Sequence, residues 1–244
     1  MPADAILGVE GLIKRYEGLL ALSGVTFSVA RGEIFGVIGP NGAGKTTLFS
    51  CLVGSVQPNS GIVRFRGERI ERLPNHAIVA RGLVRTHQIV RPFRDMTVRE
   101  NVSVGAHFGR ARLRGAEAGR RVGEILEKTG LVRKAEVLAG TLTIGELKRL
   151  EIARALATGP EVLCLDEVMG GLNPSEIVDA MKLIRSIRES GVTVLMIEHH
   201  VHAVVGVSDR ILVLNFGLKI AEGKPMEVVR HPEVISAYLG EEAV

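Results

Sequence analysis

The sequence predicts an α/β fold, built on a largely parallel sheet flanked by helices, with an antiparallel β edge and a helical insert. Two observations carry this. Short β-type runs alternate with helical patterns in the second half of the chain, the arrangement of βαβ units. Before residue 70 the runs are instead hairpin-like and broken by glycine. At 244 residues the chain is long enough for a sizeable core, as one large domain or two small ones. The candidate strands are Val25–Val29, Ile34–Ile38, Ile62–Phe65, Val162–Leu165, Thr193–Ile197 and Ile211–Leu214, each bounded by Gly, Pro, Asp or Asn. Glu146–Ala157 and Ser175–Glu189 read as helices. In the second, Ile177, Met181, Ile184 and Ile187 share one face. Residues 92–141 hold no convincing strand and are punctuated by Pro92, Gly109, Gly115 and Gly130, which makes them the helical insert. No internal repeat or low-complexity tract interrupts this layout.

Composition excludes several classes of function. Apolar residues make up 46% and charged residues 24%, the balance of a soluble globular domain. Mean hydropathy is +0.23, yet the longest apolar runs, such as Leu19–Ala30, fall well short of the roughly 20 residues a spanning helix requires. The N-terminus lacks the basic start and apolar core of a signal peptide, so a reducing compartment is expected. Cys51 and Cys164 sit in apolar contexts that read as buried thiols, and their spacing matches no metal motif. The net charge of +4 is too small to argue for nucleic acid, and no nucleic-acid recognition motif is present. It suits an anionic ligand or a membrane-associated partner. Glycine is the outlier, at 29 residues.

Several of those glycines fall in Gly39-Pro40-Asn41-Gly42-Ala43-Gly44-Lys45-Thr46, which fits the P-loop pattern G-x-x-x-x-G-K-[ST]. A candidate strand leads in and Thr46–Val53 reads as a helix leading out. This context turns a loose pattern into a nucleotide site and the α/β core into a P-loop NTPase core. Glycines let backbone N–H groups converge on phosphate oxygens, and the helix N-terminus adds its dipole. Lys45 supplies a point charge to the β- and γ-phosphates, and the Thr46 hydroxyl is placed for Mg²⁺. Asn41, Gly42, Ala43 and Thr47 complete the cradle. Val162-Leu163-Cys164-Leu165 reads as a strand buried on both faces, with Asp166 and Glu167 emerging at its C-terminal end, where open α/β sheets bind ligands. Asp166 becomes the metal partner, and Glu167 the group that polarises the attacking water.

The order of the remaining motifs resembles an ATP-binding-cassette (ABC) ATPase. The resemblance covers nearly the whole chain and makes it a single ABC ATPase domain over 1–244. Its P-loop core occupies 1–91 and 146–240, and the helical subdomain 92–145 ends in the signature motif. Tyr16 falls where the family places an aromatic that stacks on adenine. Gln88, in Arg85-Thr86-His87-Gln88, matches the glutamine that senses Mg²⁺ and the transmembrane partner. Leu142-Thr143-Ile144-Gly145-Glu146 stands for the signature LSGGQ, Gly171-Leu172-Asn173-Pro174 for the D-loop, and His199 for the switch histidine. His200 and His202 rival His199, which is favoured by its place directly after a strand and Glu198.

Arg85-Thr86-x-Gln88, Phe93, Met96-Thr97-Val98-x-Glu100-Asn101-Val102, Leu172-Asn173-Pro174, Ile197-Glu198-His199 and the tail Pro232-Glu233-Val234-Ile235-x-Ala237-Tyr238-Leu239-Gly240-Glu241 are similar to the ATPases of branched-chain amino-acid importers. The resemblance implies ATP and Mg²⁺ as ligands and two cassettes, identical or paralogous, sandwiching two ATPs. In that dimer Thr143, Gly145 and Glu146 act on the opposing subunit's nucleotide. It implies transmembrane permease subunits, a separate substrate-binding protein, no nucleic acid, and a peripheral place on the cytoplasmic face of the inner membrane. An ATPase of a lipopolysaccharide-exporter-like system and a non-transport ABC ATPase acting on nucleic acid are the alternatives. A P-loop kinase is opposed by the signature and the switch histidine.

Thr143 replaces the signature serine, Ile144 one of its two glycines and Glu146 its glutamine. Val168 replaces the proline usual after the catalytic Glu. Glu146 either faces phosphate, points to solvent or pairs with Arg149. The stretch Arg110–Arg121, with five arginines and one glutamate, reads as a solvated helical face, with contact to transmembrane subunits or anionic headgroups as the alternative.

Overall fold

The computed structural model describes residues 4–87 and 90–239. The elements in chain order are β1 (Ala5–Tyr16), β2 (Leu19–Ala30), β3 (Ile34–Ile38), α1 (Lys45–Leu52), β4 (Ser60–Phe65), β5 (Glu68–Arg69), α2 (Asn75–Arg81) and β6 (Leu83–Arg85). They continue with α3 (Val98–Phe108), α4 (Gly115–Lys128), α5 (Ile144–Ala157), β7 (Val162–Asp166), α6 (Pro174–Glu189), β8 (Thr193–Ile197), α7 (Val201–Val207), β9 (Arg210–Asn215), β10 (Leu218–Gly223), α8 (Pro225–Val228) and α9 (Pro232–Leu239).

Two sheets form. The larger runs β10-β9-β3-β8-β7-β6, parallel throughout except for the antiparallel edge strand β10. The smaller, β2-β1-β4-β5, is antiparallel. The antiparallel edge expected before residue 70 is thus a sheet of its own, while β3 from the same stretch joins the parallel sheet. Strands β1, β6 and β10 escaped the sequence reading for different reasons. β1 is interrupted by glycines and register shifts, β6 is three residues long, and β10 is only partly buried.

The central strands are buried on both faces, and their alternation decides which core each side chain enters. Ile34 and Ile38 of β3, Leu163 and Leu165 of β7, and Val194 and Met196 of β8 face the helical side. Phe35, Val37, Cys164, Leu195 and Ile197 face the core between the two sheets. The helix after the P-loop, α1, is buried in that inner core through Leu48, Phe49, Cys51 and Leu52. Phe27 of β2 stacks on Phe35 with ring centroids 5.5 Å apart. The phosphate loop therefore rests on a helix clamped between two sheets. Both cysteines are buried thiols, and burial pushes Cys164 up to about 12.

Among the described residues three helices begin with reciprocal capping boxes: Thr97 with Glu100 on α3, Thr143 with Glu146 on α5, and Asn173 with Glu176 on α6. Asn101 is fully buried and ties the segment before α3 to that helix. It accepts from Phe93 N–H and donates to the carbonyls of Phe93, Met96 and Thr97. Arg31, Arg66 and Arg110, from three separate parts of the chain, converge on Glu161 at 3.1, 2.7 and 2.7 Å. Within the arginine-rich stretch, Arg110 is thus committed to that cluster, and Arg121 donates to the Leu156 carbonyl on α5.

Candidate nucleotide site

The loop between β3 and α1 depends on two close backbone approaches. Gly39 has φ 149°, and a Cβ there would stand 2.0 Å from the Leu214 carbonyl oxygen of β9. Gly44, at φ 100°, would place a Cβ 2.5 Å from the Ala21 carbonyl oxygen of β2. No side chain fits at either position without moving backbone. Gly44 caps α1 with no side-chain hydrogen bond, which leaves the first-turn N–H groups to a ligand. The Lys45 side chain is buried and folds over the loop, its Nζ donating to the carbonyls of Gly39 (2.6 Å) and Pro40 (2.8 Å).

Asn41, Gly42, Ala43, Gly44, Lys45, Thr46 and Thr47 line a cleft of about 450 Å³, within the usual size range for small-molecule sites. Across it stand Tyr16, Glu167, His199 and Phe216. Tyr16 ends β1 and is 41% exposed, with Lys14 Nζ 4.7 Å from its ring centre. His200 and His202 are exposed and line no part of this cleft, so among the three histidines the geometry singles out His199. Gln88 lies outside the described residues.

Beneath the cleft, β7 delivers Asp166 fully buried. Its Oδ2 accepts from Arg85 at 2.5 and 3.2 Å, while Oδ1 has no hydrogen-bond partner among the described residues. Arg85 also donates to the Ser50 hydroxyl of α1, and Thr86 Oγ1 accepts from Asp166 N–H. Sequence reasoning quoted Arg85 only as a subgroup marker. Its role follows from strand pairing, which the local sequence does not show: Arg85 pairs in register with Cys164, two residues before Asp166.

Glu167 is held in a left-handed backbone conformation, φ 50°, rare for a residue with a Cβ and typical of strained functional positions. Three elements hold it there. Its N–H donates to the Ile197 carbonyl of β8 (2.9 Å), Lys148 of α5 donates to its carbonyl (2.9 Å), and His199 Nε2 lies 2.9 Å from Oε1. Next to His199, Glu198 is buried and accepts from Met169 N–H at 2.7 Å, tying the end of β8 to the turn after Glu167. Burial first, then the nearby Glu167 and Asp166 carboxylates, push the Glu198 carboxyl up to about 7, against the Met169 N–H and Lys148. From sequence, Glu198 marks a position and a subgroup motif and Lys148 belongs to the basic helix after the signature; neither is assigned a role at the site.

The signature residues lie apart from the cleft. Thr143 and Glu146 cap α5, and the Glu146 carboxylate accepts from Thr143 N–H (2.9 Å) and pairs with Lys134 (3.0 Å). Those partners, Thr143 first, hold it below the usual carboxylate range. Arg149, its expected alternative partner, instead meets Asp179 at 3.5 Å. The correction has a plain cause: the N3 position of a capping box turns Glu146 back toward the N-terminus, away from Arg149. None of Thr143, Gly145 and Glu146 lines the cleft of its own chain.

The raised Glu198 carboxyl makes stability depend on pH. The folded protein keeps this proton where the unfolded chain has already lost it. The resulting stability is full below the ordinary carboxylate range and is lost as pH rises toward about 7, on the order of 3 kcal/mol in all. Chemical denaturation of wild type and Glu198→Gln between pH 4 and 8 should show the wild type losing that much relative to the variant. Parallel pH profiles would contradict this.

A family profile described as ABC transporter matches residues 22–170, and one described as branched-chain amino acid ATP-binding cassette transporter matches residues 219–244. The chain is 45% identical over 250 residues to the high-affinity branched-chain amino acid transport ATP-binding protein BraF of Pseudomonas aeruginosa, covering 97% of this chain and 98% of that one. Identity to the corresponding LivG protein of Escherichia coli is 43% over 256 residues, covering 98% and 99%. The lipopolysaccharide export system ATP-binding protein LptB of Escherichia coli is 34% identical over 238 residues, covering 98% of each chain. Among solved structures, an ABC transporter cassette in its ADP conformation superposes with a TM-score of 0.87 at 31% identity, covering 97% and 99%. A dimeric cassette bound to ADP and phosphate gives 0.80 at 25% identity, covering 90% and 98%. With these relatives matched end to end and a phosphate loop, an acidic strand end and His199 meeting at one cleft, the chain belongs to the ATP-binding subunits of the ABC transporter family and is an ATPase.

Proposed function

We propose that the chain is the ATP-hydrolysing subunit of an importer for branched-chain or related amino acids. The observation that carries this reading is the match of residues 219–244 to a branched-chain amino acid transporter profile, because that tail lies beyond the motifs of ATP chemistry. The lower identity to the lipopolysaccharide-export protein, 34% against 43–45%, makes export the second reading.

In this account the N–H groups of the loop and of α1 hold the phosphates, Lys45 swings from its carbonyl partners to the β- and γ-phosphates, and Tyr16 stacks on adenine. Thr46 and Asp166 fit a divalent cation. Thr46 lines the cleft, and Asp166 Oδ1 is a buried anionic oxygen without a partner among the described residues, a donor pair suited to a hard ion that also binds phosphate. Held by these residues, Mg²⁺ would supply positive charge to the bound phosphates. The family resemblance adds Gln88 to this set. Glu167 orients and deprotonates the attacking water, and His199, on the same side of the cleft, fixes the Glu167 carboxylate.

The signature end of α5 completes the site of a second ATPase subunit, identical or paralogous. Two facts support this: the signature lies away from its own cleft, and its Ile144 is 61% exposed. The helical segment 92–145 acts as a subdomain. Between it and the core runs a groove lined by Arg85, His87, Phe108 and Arg154, which suits a transmembrane permease subunit. Among the described residues no helix is long and apolar enough to cross a membrane. The chain then works peripherally, at the cytoplasmic face of the inner membrane, with a separate substrate-binding protein delivering cargo to the permeases.

Glu167→Gln should cut the rate of phosphate release by about 10²–10⁴ while ATP affinity by titration calorimetry stays within about twofold. Near-normal turnover would remove Glu167 from the chemistry. Cargo is tested in inside-out membrane vesicles that carry the chain with its co-purifying permeases and enclose labelled leucine with the substrate-binding protein. ATP-dependent leucine transport, lost with Lys45→Ala, is the expected result. ATP hydrolysis without amino-acid transport would favour the export reading.

A further inference from the structure

The turn between β9 and β10 holds a side chain that its backbone disfavours. Asn215 pairs with Leu218, so the turn has two residues, Phe216 at φ 45° and Gly217 at φ 75°. Positive φ at both places makes it a type I′ turn, whose first position favours Asn, Asp or Gly. A bulky aromatic there is strained. Two further hairpins among the described residues close the same way, and they carry Glu17 and Arg66 at this position. Phe216 gains nothing from burial in return, since it is 81% exposed.

The turn itself is firmly held. Gly217 N–H donates to the Ala43 carbonyl of the phosphate loop (3.1 Å), and Ser23 N–H of β2 donates to the Gly217 carbonyl (2.9 Å). This anchoring fixes the turn, and so places Phe216, at the rim of the cleft that Tyr16 and Leu19 also line. A costly backbone, an exposed aromatic ring and a rigid mount beside the phosphate loop together describe a residue kept for what it touches when the cleft is filled.

We propose that Phe216 is a nucleotide-binding residue, contacting the base of the bound nucleotide and forming, with Tyr16, the apolar part of the base subsite. The inference rests on the nucleotide reading of the cleft and adds a contact to it. An aromatic face favours any flat heterocycle, so Phe216 strengthens binding without choosing between adenine and guanine.

The test uses the full-length chain with ADP, which separates binding from hydrolysis, and with inorganic pyrophosphate, which has no base. Phe216→Asn suits the turn and removes the ring; Phe216→Trp keeps an aromatic face. Phe216→Asn should melt at a higher temperature than wild type, yet bind ADP about threefold to tenfold more weakly, with pyrophosphate affinity unchanged. Phe216→Trp should retain ADP affinity. ADP binding by Phe216→Asn within about twofold of wild type would overturn the proposal, as would an equal loss toward pyrophosphate, which would put the effect in the phosphate loop. A wild type that binds neither ligand would overturn the nucleotide reading itself, and this inference with it.

Discussion

The site depends on how closely the phosphate loop approaches its neighbours. A loop that gathers N–H groups onto phosphate must turn tightly, and here it does so wedged between Leu214 of the parallel sheet and Ala21 of the antiparallel one. The second sheet is thus more than an appendage. It closes the inner core around α1, supplies Tyr16 from β1, and fixes the height of the loop above β3. Lys45 is buried and lies within the loop, its ammonium group bonded to the carbonyls of Gly39 and Pro40.

The acidic side of the cleft follows another rule: a strained residue is held by several partners at once. Glu167 in its left-handed conformation takes bonds from β8, α5 and His199. Glu198 adds a tie one turn further on, at Met169. Arg85 does the corresponding work for Asp166, bringing β6 and α1 to the same carboxylate. Since Arg85 also lines the groove between the core and α3, one guanidinium touches both that groove and the acid beneath the cleft.

What could be read in advance sorts by range. The phosphate loop, the buried strand ending in Asp166 and Glu167, and the strand preceding His199 are local patterns of backbone and burial, so their spacing carries them. Arg85, Lys148 and Glu198 act through contacts between elements far apart in sequence, and nothing in their immediate neighbours marks them. Glu146 shows the boundary well. Its capping box was implicit in Thr143 and the three-residue spacing, but Lys134, its charge partner, comes from the chain before the signature. The three-residue β6 and the broken β1 were equally invisible to periodicity, because strand pairing rather than local pattern stabilises them.

The central claim is that close backbone approach at the phosphate loop makes the nucleotide site. Replacing Gly44 with alanine tests it most directly, because the added methyl meets the Ala21 carbonyl and the backbone is left-handed there. Titration calorimetry with ATP should show affinity falling more than about tenfold, a loss of roughly 1.4 kcal/mol or more, while far-ultraviolet circular dichroism at low temperature shows the variant still folded. A folded Gly44→Ala protein that binds ATP as tightly as wild type would contradict the account.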